Sequence, residues 1–337
     1  MAVQEVILKT NPAGPVEYSE KAIKKVLDAS YLIADTKMDG VQLNLVVKPA
    51  YGPSAFANFL SRAGKHFPAL QGAYQRGLKD QMLFTQLLQD DTCIFPNGFM
   101  LQAEIVAPGQ PAEVTAGILR RKSAPLDLSS IEIHVFGVVP LDVVESGKDH
   151  DVTHAIMKYH VEAMTALLQK HVPQIAWKVV ESVDVFTYEE LQRVYGVRRE
   201  EGQEGLVLKD PLAIWKRGKK VGQWKMKPED TIDGTVQGLI WGTPGLGNEG
   251  KVIGFEVLLE DGHVVNACGL TQAQKDEFTG KVHSCCLSME QSEREALRNP
   301  FDGWAVEVSF MERFKDGSLR HPSFSRWRGI SDPLTKE

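Results

Sequence analysis

The chain has 337 residues, 43% hydrophobic and 24% charged, with aromatic and branched apolar residues spread throughout, which excludes a disordered protein. At roughly 100–200 residues per domain the length predicts two domains or three, large enough to fold without metal or disulfide staples. The formal net charge of −6 shows no sign of a nucleic-acid partner and by itself favours a small-molecule enzyme, although phosphate affinity depends on where Lys and Arg sit locally.

Ser19 predicts the cap of a helix through Ala22, Ile23, Val26 and Leu27, whose apolar side chains recur at helical spacing. Strands are predicted at 31–34, 41–47, 100–106 and 131–139. Val41, Leu43, Leu45 and Val47 alternate with Gln42, Asn44 and Val46, as in a strand with one strongly apolar face. A helix follows over 152–170, and another starts at Thr187, where Thr187 and Glu190 have the spacing of a capping box. Strands at 205–209 and 223–227 complete this part.

The character changes near Pro228, Glu229 and Asp230. Strands are predicted at 235–241, 252–260, 263–268 and 304–310, with Asp261-Gly262 and Asp316-Gly317 as hairpin turns and a helix over 289–298. Several short antiparallel strands with one helix fit a small β-barrel of oligonucleotide-binding type. The boundary is placed at residues 228–231, giving domains 1–229 and 230–337.

Cys93, Cys268, Cys285 and Cys286 form no C-x-x-C pair and are read as reduced thiols of a cytosolic protein. No basic segment followed by a long apolar one opens the chain, so no signal peptide is expected. No stretch approaches the roughly 18 uninterrupted apolar residues of a membrane span. The expected location is the cytoplasm.

Gly245-x-Gly247-x-x-Gly250 has the spacing of a dinucleotide fingerprint, but that fingerprint needs a helix whose amides face the pyrophosphate. Residues 251–257 read as a strand, so the glycines are assigned to a loop. Lys37-Met38-Asp39-Gly40 lies between two strands; alone it is ordinary turn chemistry, while functionally it mounts Lys37 as a nucleophile on a rigid turn. The charges that follow favour the functional reading. Glu104 lies in strand 100–106, while Glu204 and Lys209 bracket an apolar strand. Residues 216–227 hold six basic side chains and no acidic one, with Trp224 alternating with Lys225 and Lys227, a strand face suited to phosphate.

The series Lys37-x-Asp39-Gly40, Arg62, Glu104, Phe136, Glu204-Gly205, Lys209 and Lys225-x-Lys227 resembles the covalent nucleotidyltransferase superfamily of polynucleotide ligases and messenger-RNA capping enzymes. The resemblance spans essentially the whole chain. Segments 144–151, 216–230, 238–260 and 316–324 look more closely like the short two-domain ATP-dependent DNA ligases of tailed bacteriophages. It implies an α+β fold: a mixed α/β adenylation domain with antiparallel sheets, then a C-terminal OB-fold β-barrel that swings about residues 228–231.

By that resemblance Lys37 becomes adenylylated. Asp35, Thr36, Met38, Gln42 and Arg62 contact the nucleotide, Glu104 binds the ribose hydroxyls and Phe136 stacks on adenine. Glu104 and Glu204 hold Mg²⁺, and Lys209, Lys225 and Lys227 engage phosphate oxygens. Lys216, Arg217, Lys219 and Lys220 contact DNA, as do Arg320, Arg326 and Arg328, which also orient the leaving pyrophosphate. Two positions depart from the family pattern: Gln42 stands where an Arg is usual, and Gln102-Ala103 replaces Asp-Gly before Glu104. The implied substrates are ATP and nicked double-stranded DNA, handled by a monomer with no membrane partner in the cytoplasm of an infected bacterial host. The alternatives are an RNA ligase, a GTP-dependent capping-type enzyme, or a DNA-binding protein of this fold that has lost its chemistry.

Overall fold

The computed structural model describes residues 5–51, 54–122, 125–227, 230–286, 299–310, 312–314, 316–320, 322–329 and 332–335. The chain divides into two compact units, Met1–Met226 and Lys227–Glu337.

In chain order the first unit runs β1 (Gly14–Glu17), α1 (Glu20–Ala29), β2 (Leu32–Lys37), β3 (Val41–Pro49), β4 (Ala55–Ser61), α2 (Pro68–Ala73), α3 (Leu83–Leu88), β5 (Phe99–Val106) and α4 (Ala112–Arg120). It continues with β6 (Glu132–Pro140), α5 (Leu141–Ser146), β7 (His150–Thr153), α6 (His154–His171), β8 (Ala176–Val179), β9 (Ser182–Val185), α7 (Tyr188–Glu200), β10 (Gly205–Lys209), β11 (Ile214–Trp215) and β12 (Lys219–Met226). These strands form two five-stranded sheets, ordered β1-β12-β10-β2-β9 and β4-β3-β5-β6-β8, and a small β11-β7 pair. Pairing is antiparallel except for β1 with β12 and β6 with β8.

Ser19 caps α1 as expected, its hydroxyl accepting from the Ala22 amide at 3.4 Å. Thr187 caps α7 by accepting from the Glu190 amide at 3.0 Å, while Glu190 reaches back to the amide of Phe186 rather than Thr187, a box one residue wider than standard. In the first sheet, Leu32, Ala34, Leu206, Leu208, Trp224 and Met226 form one apolar cluster with Ile23 of α1 and Leu191 of α7.

The second sheet differs from expectation. Residues Leu43 to Val47 of β3 are all buried, so both faces of that strand are covered. Asn44 is tolerated there because its amide donates to Thr10 Oγ1 at 3.3 Å and to the Ser61 carbonyl at 3.4 Å.

The second unit contains β13 (Asp230–Trp241), β14 (Val252–Leu259), β15 (Val264–Ala267), α8 (Gln272–Cys286), β16 (Ala305–Phe310), β17 (Glu312–Arg313), β18 (Leu319–Arg320) and β19 (Ser323–Trp327). Its main sheet is ordered β15-β14-β13-β16-β19 and folds over an aromatic core of Phe255, Phe278, Phe301, Phe324 and Trp327. Among the described residues the edge strands meet near the isolated bridge between Cys268 and Ser323, where the Phe324 amide donates to the Cys268 carbonyl at 2.8 Å. The expected barrel is thus a curled five-stranded sheet, not a continuously closed one.

Asp261-Gly262 turns β14 into β15, Asp316-Gly317 turns β17 into β18, and Gly245 to Gly250 lie in a loop before β14. The helix expected at 289–298 falls outside the described residues. Helix α8 was not expected, because among its described side chains only Phe278 and Val282 reach the core. Its start is nonetheless written in Thr271-x-x-Gln274: the Thr271 amide donates to Gln274 Oε1 at 2.9 Å and the Gln274 amide to Thr271 Oγ1 at 3.3 Å. Cys93, Cys268 and Cys285 are free thiols. Among the described residues no helix is long and apolar enough to cross a membrane.

Candidate active site

Strand β2 lies between β10 and β9, with Lys37 opposite Gly205, Asp35 opposite both Val207 and Ser182, and Ile33 opposite Lys209. Beyond β10, Val207 faces Lys225 of β12. Directly paired residues project to the same side of a sheet, so Asp35, Lys37, Ser182, Lys209 and Lys225 rise from one face, opposite the apolar cluster. The Lys37 amine is ion-paired with the Glu204 carboxylate, and the Glu204 amide donates to the Lys37 carbonyl at 3.1 Å.

Gly40 explains the last letter of the tetrad. A Cβ there would lie 2.4 Å from the Ile105 carbonyl oxygen and 2.8 Å from Glu104 Cγ, so only glycine lets the turn after Lys37 press against β5. That approach brings Glu104 within the field of the site. Across the second sheet Gln42, Glu104 and His134 stand side by side.

Burial raises the Glu104 carboxyl to about 8; the Lys37 charge opposes the rise, while Glu204 and Asp39 add to it. Gln42, in register with Glu104, contributes no positive charge. Because the unfolded carboxyl titrates near 4.5, the folded state holds the extra proton between that value and about 8, and stability falls as pH rises through this window. Glu104→Gln is therefore expected to melt above the parent by several degrees, on the order of 2–4 °C, at alkaline pH. The gap should close toward pH 4.5 in calorimetry without nucleotide; a gap independent of pH would contradict this origin.

Deeper on the same face, Lys209 Nζ lies 2.5 Å from Asp35 Oδ2, with side chains only 9% and 7% exposed. Lys209 also donates to the Phe136 carbonyl at 3.3 Å and sits 5.8 Å from the centre of its ring. Phe136 owes its position to a bulge: Gln102 pairs with Gly137 and Ala103 with Val135, leaving Phe136 as the extra residue. Asp35, Phe136, His154, Val180, Ser182 and Lys209 border a cavity of about 200 Å³. Sequence reasoning missed His154 and Ser182, which carry no local motif.

The remaining expected residues are distributed more widely. Thr36 is buried and alternates with Asp35, so its side chain lies on the other face with Ala34. Met38 is half-buried just beyond β2. Arg62 is exposed after β4, its guanidinium 3.5 Å from where a side chain at Gly14 would begin. Lys225 pairs with Glu17 at 2.7 Å, and Lys227 is half-buried one residue past β12.

Lys216, Lys219 and Lys220 are exposed. Arg217 instead commits its side chain to the carbonyls of Lys148 (2.8 Å), Thr10 (2.8 Å), Val144 (2.9 Å) and Val143, which makes it a brace under the basic segment. Gln102 is likewise a tie: it accepts from Trp215 Nε1 at 2.7 Å and donates to the Ala13 carbonyl at 3.0 Å. In the second unit Arg326 and Arg328 share Glu307, at 3.1 and 3.3 Å, and Arg328 lies 3.2 Å from Asp233. Arg320 pairs with Glu312 in the β17-β18 hairpin, its side chain outside the described residues.

Residues 13–227 match the family model of the ATP dependent DNA ligase domain, and residues 228–328 match that of the DNA ligase C-terminal domain. The chain is 43% identical to the DNA ligase of Escherichia phage T7, over 96% of its own length and 98% of the relative's. It is 42% identical to the DNA ligase of Enterobacteria phage T3, over 97% and 98%. Among solved structures, the ATP-dependent DNA ligase from bacteriophage T7 in complex with ATP covers 95% of this chain and 99% of its own, at 44% identity and a TM-score of 0.62. With near-complete coverage by relatives at this identity, and its Lys37-x-Asp39-Gly40 turn seated as described, the chain belongs to the ATP-dependent DNA ligase family.

Proposed function

We propose that the protein seals 5′-phosphate/3′-hydroxyl nicks in double-stranded DNA through a lysine–AMP intermediate on Lys37. The observation that carries this reading is the Lys37 amine held against Glu204, beside Glu104, on a strand face that also bears Asp35, Lys209 and Lys225. The amine attacks the α-phosphorus of ATP: an N–P bond forms, the bond to pyrophosphate breaks, and the proton leaves through the neighbouring Glu204 carboxylate. Lys225 and Lys227 sit against phosphate oxygens, and Arg320, Arg326 and Arg328 of the second unit orient the pyrophosphate. AMP then passes to the 5′-phosphate at a nick, and the adjacent 3′-hydroxyl displaces it.

Glu104 and Glu204 suit Mg²⁺. Among the described residues no three-ligand His, Cys, Asp or Glu cluster exists, and Mg²⁺ characteristically takes one or two carboxylates together with substrate phosphates and water. When bound, the ion supplies positive charge against the phosphoryl oxygens.

Protein freed of prebound AMP, incubated with Mg²⁺ and either ATP or GTP, tests the reading by intact mass. An AMP adduct and sealing of nicked DNA in preference to nicked RNA are expected. A GMP adduct points to capping chemistry, and no adduct overturns the proposal.

Lys216, Lys219 and Lys220 form the DNA-facing segment, held in place by Arg217. Replacing Lys219 and Lys220 together with alanine is expected to flatten the slope of log affinity against log salt by roughly 2, since each phosphate contact contributes about 0.9. An unchanged slope would remove these lysines from the interface. The protein acts as a monomer in the cytoplasm of a bacterial host.

A further inference from the structure

We propose that His154 and Ser182, which line the same cavity as Asp35, read the base of the nucleotide together with it; this rests on the adenylylation reading above. The cavity of about 200 Å³ brings together charged, aromatic and unpartnered polar groups. Ser182 stands opposite Asp35 in the β9-β2 pairing, and its hydroxyl is buried without a hydrogen-bond partner. His154 opens helix α6, is 4% exposed, and its Nε2 is also buried without a partner. Its backbone is fixed, the amide donating to the Ala213 carbonyl at 2.9 Å.

Buried polar atoms in folded proteins nearly always have partners, so two orphans on one cavity wall mark a place where a ligand supplies them. Pockets that enclose whole drug-sized ligands run to roughly 300–1,000 Å³. This cavity is smaller and suits one ring system, with the ribose and phosphates continuing toward Lys37. That residue lies two positions along β2 from Asp35 on the same face, a step of about 7 Å.

Adenine matches the polar pattern. Its exocyclic amine donates to the Asp35 carboxylate, and its ring nitrogens accept from the Ser182 hydroxyl and pair with the imidazole of His154. Guanine presents a carbonyl oxygen where adenine has the amine, which sets two acceptors against each other at Asp35. Phe136 supplies the stacking surface. Burial, and then the charge of Lys209, push the His154 imidazole down to about 3, so it meets the base as a neutral ring.

Single-turnover adenylylation measured against ATP concentration tests this with Ser182→Ala, His154→Phe and the milder His154→Gln, alongside melting curves. Each of the first two is expected to raise the ATP concentration for half-maximal rate roughly two- to tenfold, the worth of one neutral hydrogen bond. The rate at saturating ATP should stay at the parental value. With 7-deaza-ATP, which lacks a ring nitrogen, the parent should weaken, and the variant lacking the partner of that nitrogen should not weaken further. An ATP dependence unchanged in both Ser182→Ala and His154→Phe, with parental melting, overturns the assignment. A parent that forms no AMP adduct instead overturns the function on which the assignment rests.

Discussion

Lys37→Ala is expected to form no AMP adduct and to lose nick sealing by roughly 10⁴-fold or more, the scale seen when a covalent nucleophile is removed. The expectation follows from position. The amine is the group on the cleft face that is paired to Glu204, and the Gly40 turn holds it against the strand that carries Glu104. The same variant should still join a nick supplied with a pre-formed 5′-adenylate, because that last step needs no lysine nucleophile. Intact mass after incubation with ATP, and sealing of the two DNA substrates, separate the outcomes. An adduct surviving in Lys37→Ala would place the nucleophile elsewhere. Equal loss on both substrates, with lowered melting, would instead report damage to the site around Glu204, whose side chain is only 10% exposed.

The largest effect on stability is expected from Asp35→Ala, a loss of about 3–5 kcal/mol in urea unfolding without nucleotide. The cause is the charge left behind. Lys209 is 9% exposed and retains only the Phe136 carbonyl at 3.3 Å and the flank of its ring. Replacing both partners by apolar residues of similar size, Asp35→Leu with Lys209→Met, should cost less than Asp35→Ala alone, since no buried charge is then stranded. A double variant as unstable as the sum of the two singles would show that the pair contributes nothing beyond its separate packing.

Much of the site was legible because strand alternation is a local rule. Lys225 and Lys227 were expected on one face, opposite Trp224, and Lys225 with Trp224 follows that alternation in β12. What local pattern could not convey is partnership across the chain. Lys37 and Glu204 are 167 positions apart and Asp35 and Lys209 farther still, and each meeting depends on β2 and β10 lying side by side. Arg217 shows the converse: in a basic run it looks like its neighbours, yet its guanidinium turns back onto carbonyls at Thr10 and Val144. Both faces of β3 are buried because neighbouring elements cover it, which no alternation within residues 41–47 reveals. Helix α8 shows little apolar periodicity, with Phe278 and Val282 anchoring it among its described side chains, although its Thr271–Gln274 cap is readable.

The shared use of one strand by core and chemistry limits how this gene can drift in length. In β2 the odd-numbered Asp35 and Lys37 rise on the face that bears the proposed site, and the even-numbered Leu32 and Ala34 pack in the apolar cluster beneath. A one-codon insertion between Leu32 and Lys37 would exchange the two sets, sending a charged side chain into the apolar layer and an aliphatic one to the reaction centre. Such an insertion fails in folding and in catalysis at once. Surviving length changes are therefore expected to accumulate in loops such as the one around Gly245 to Gly250, which lies between β13 and β14.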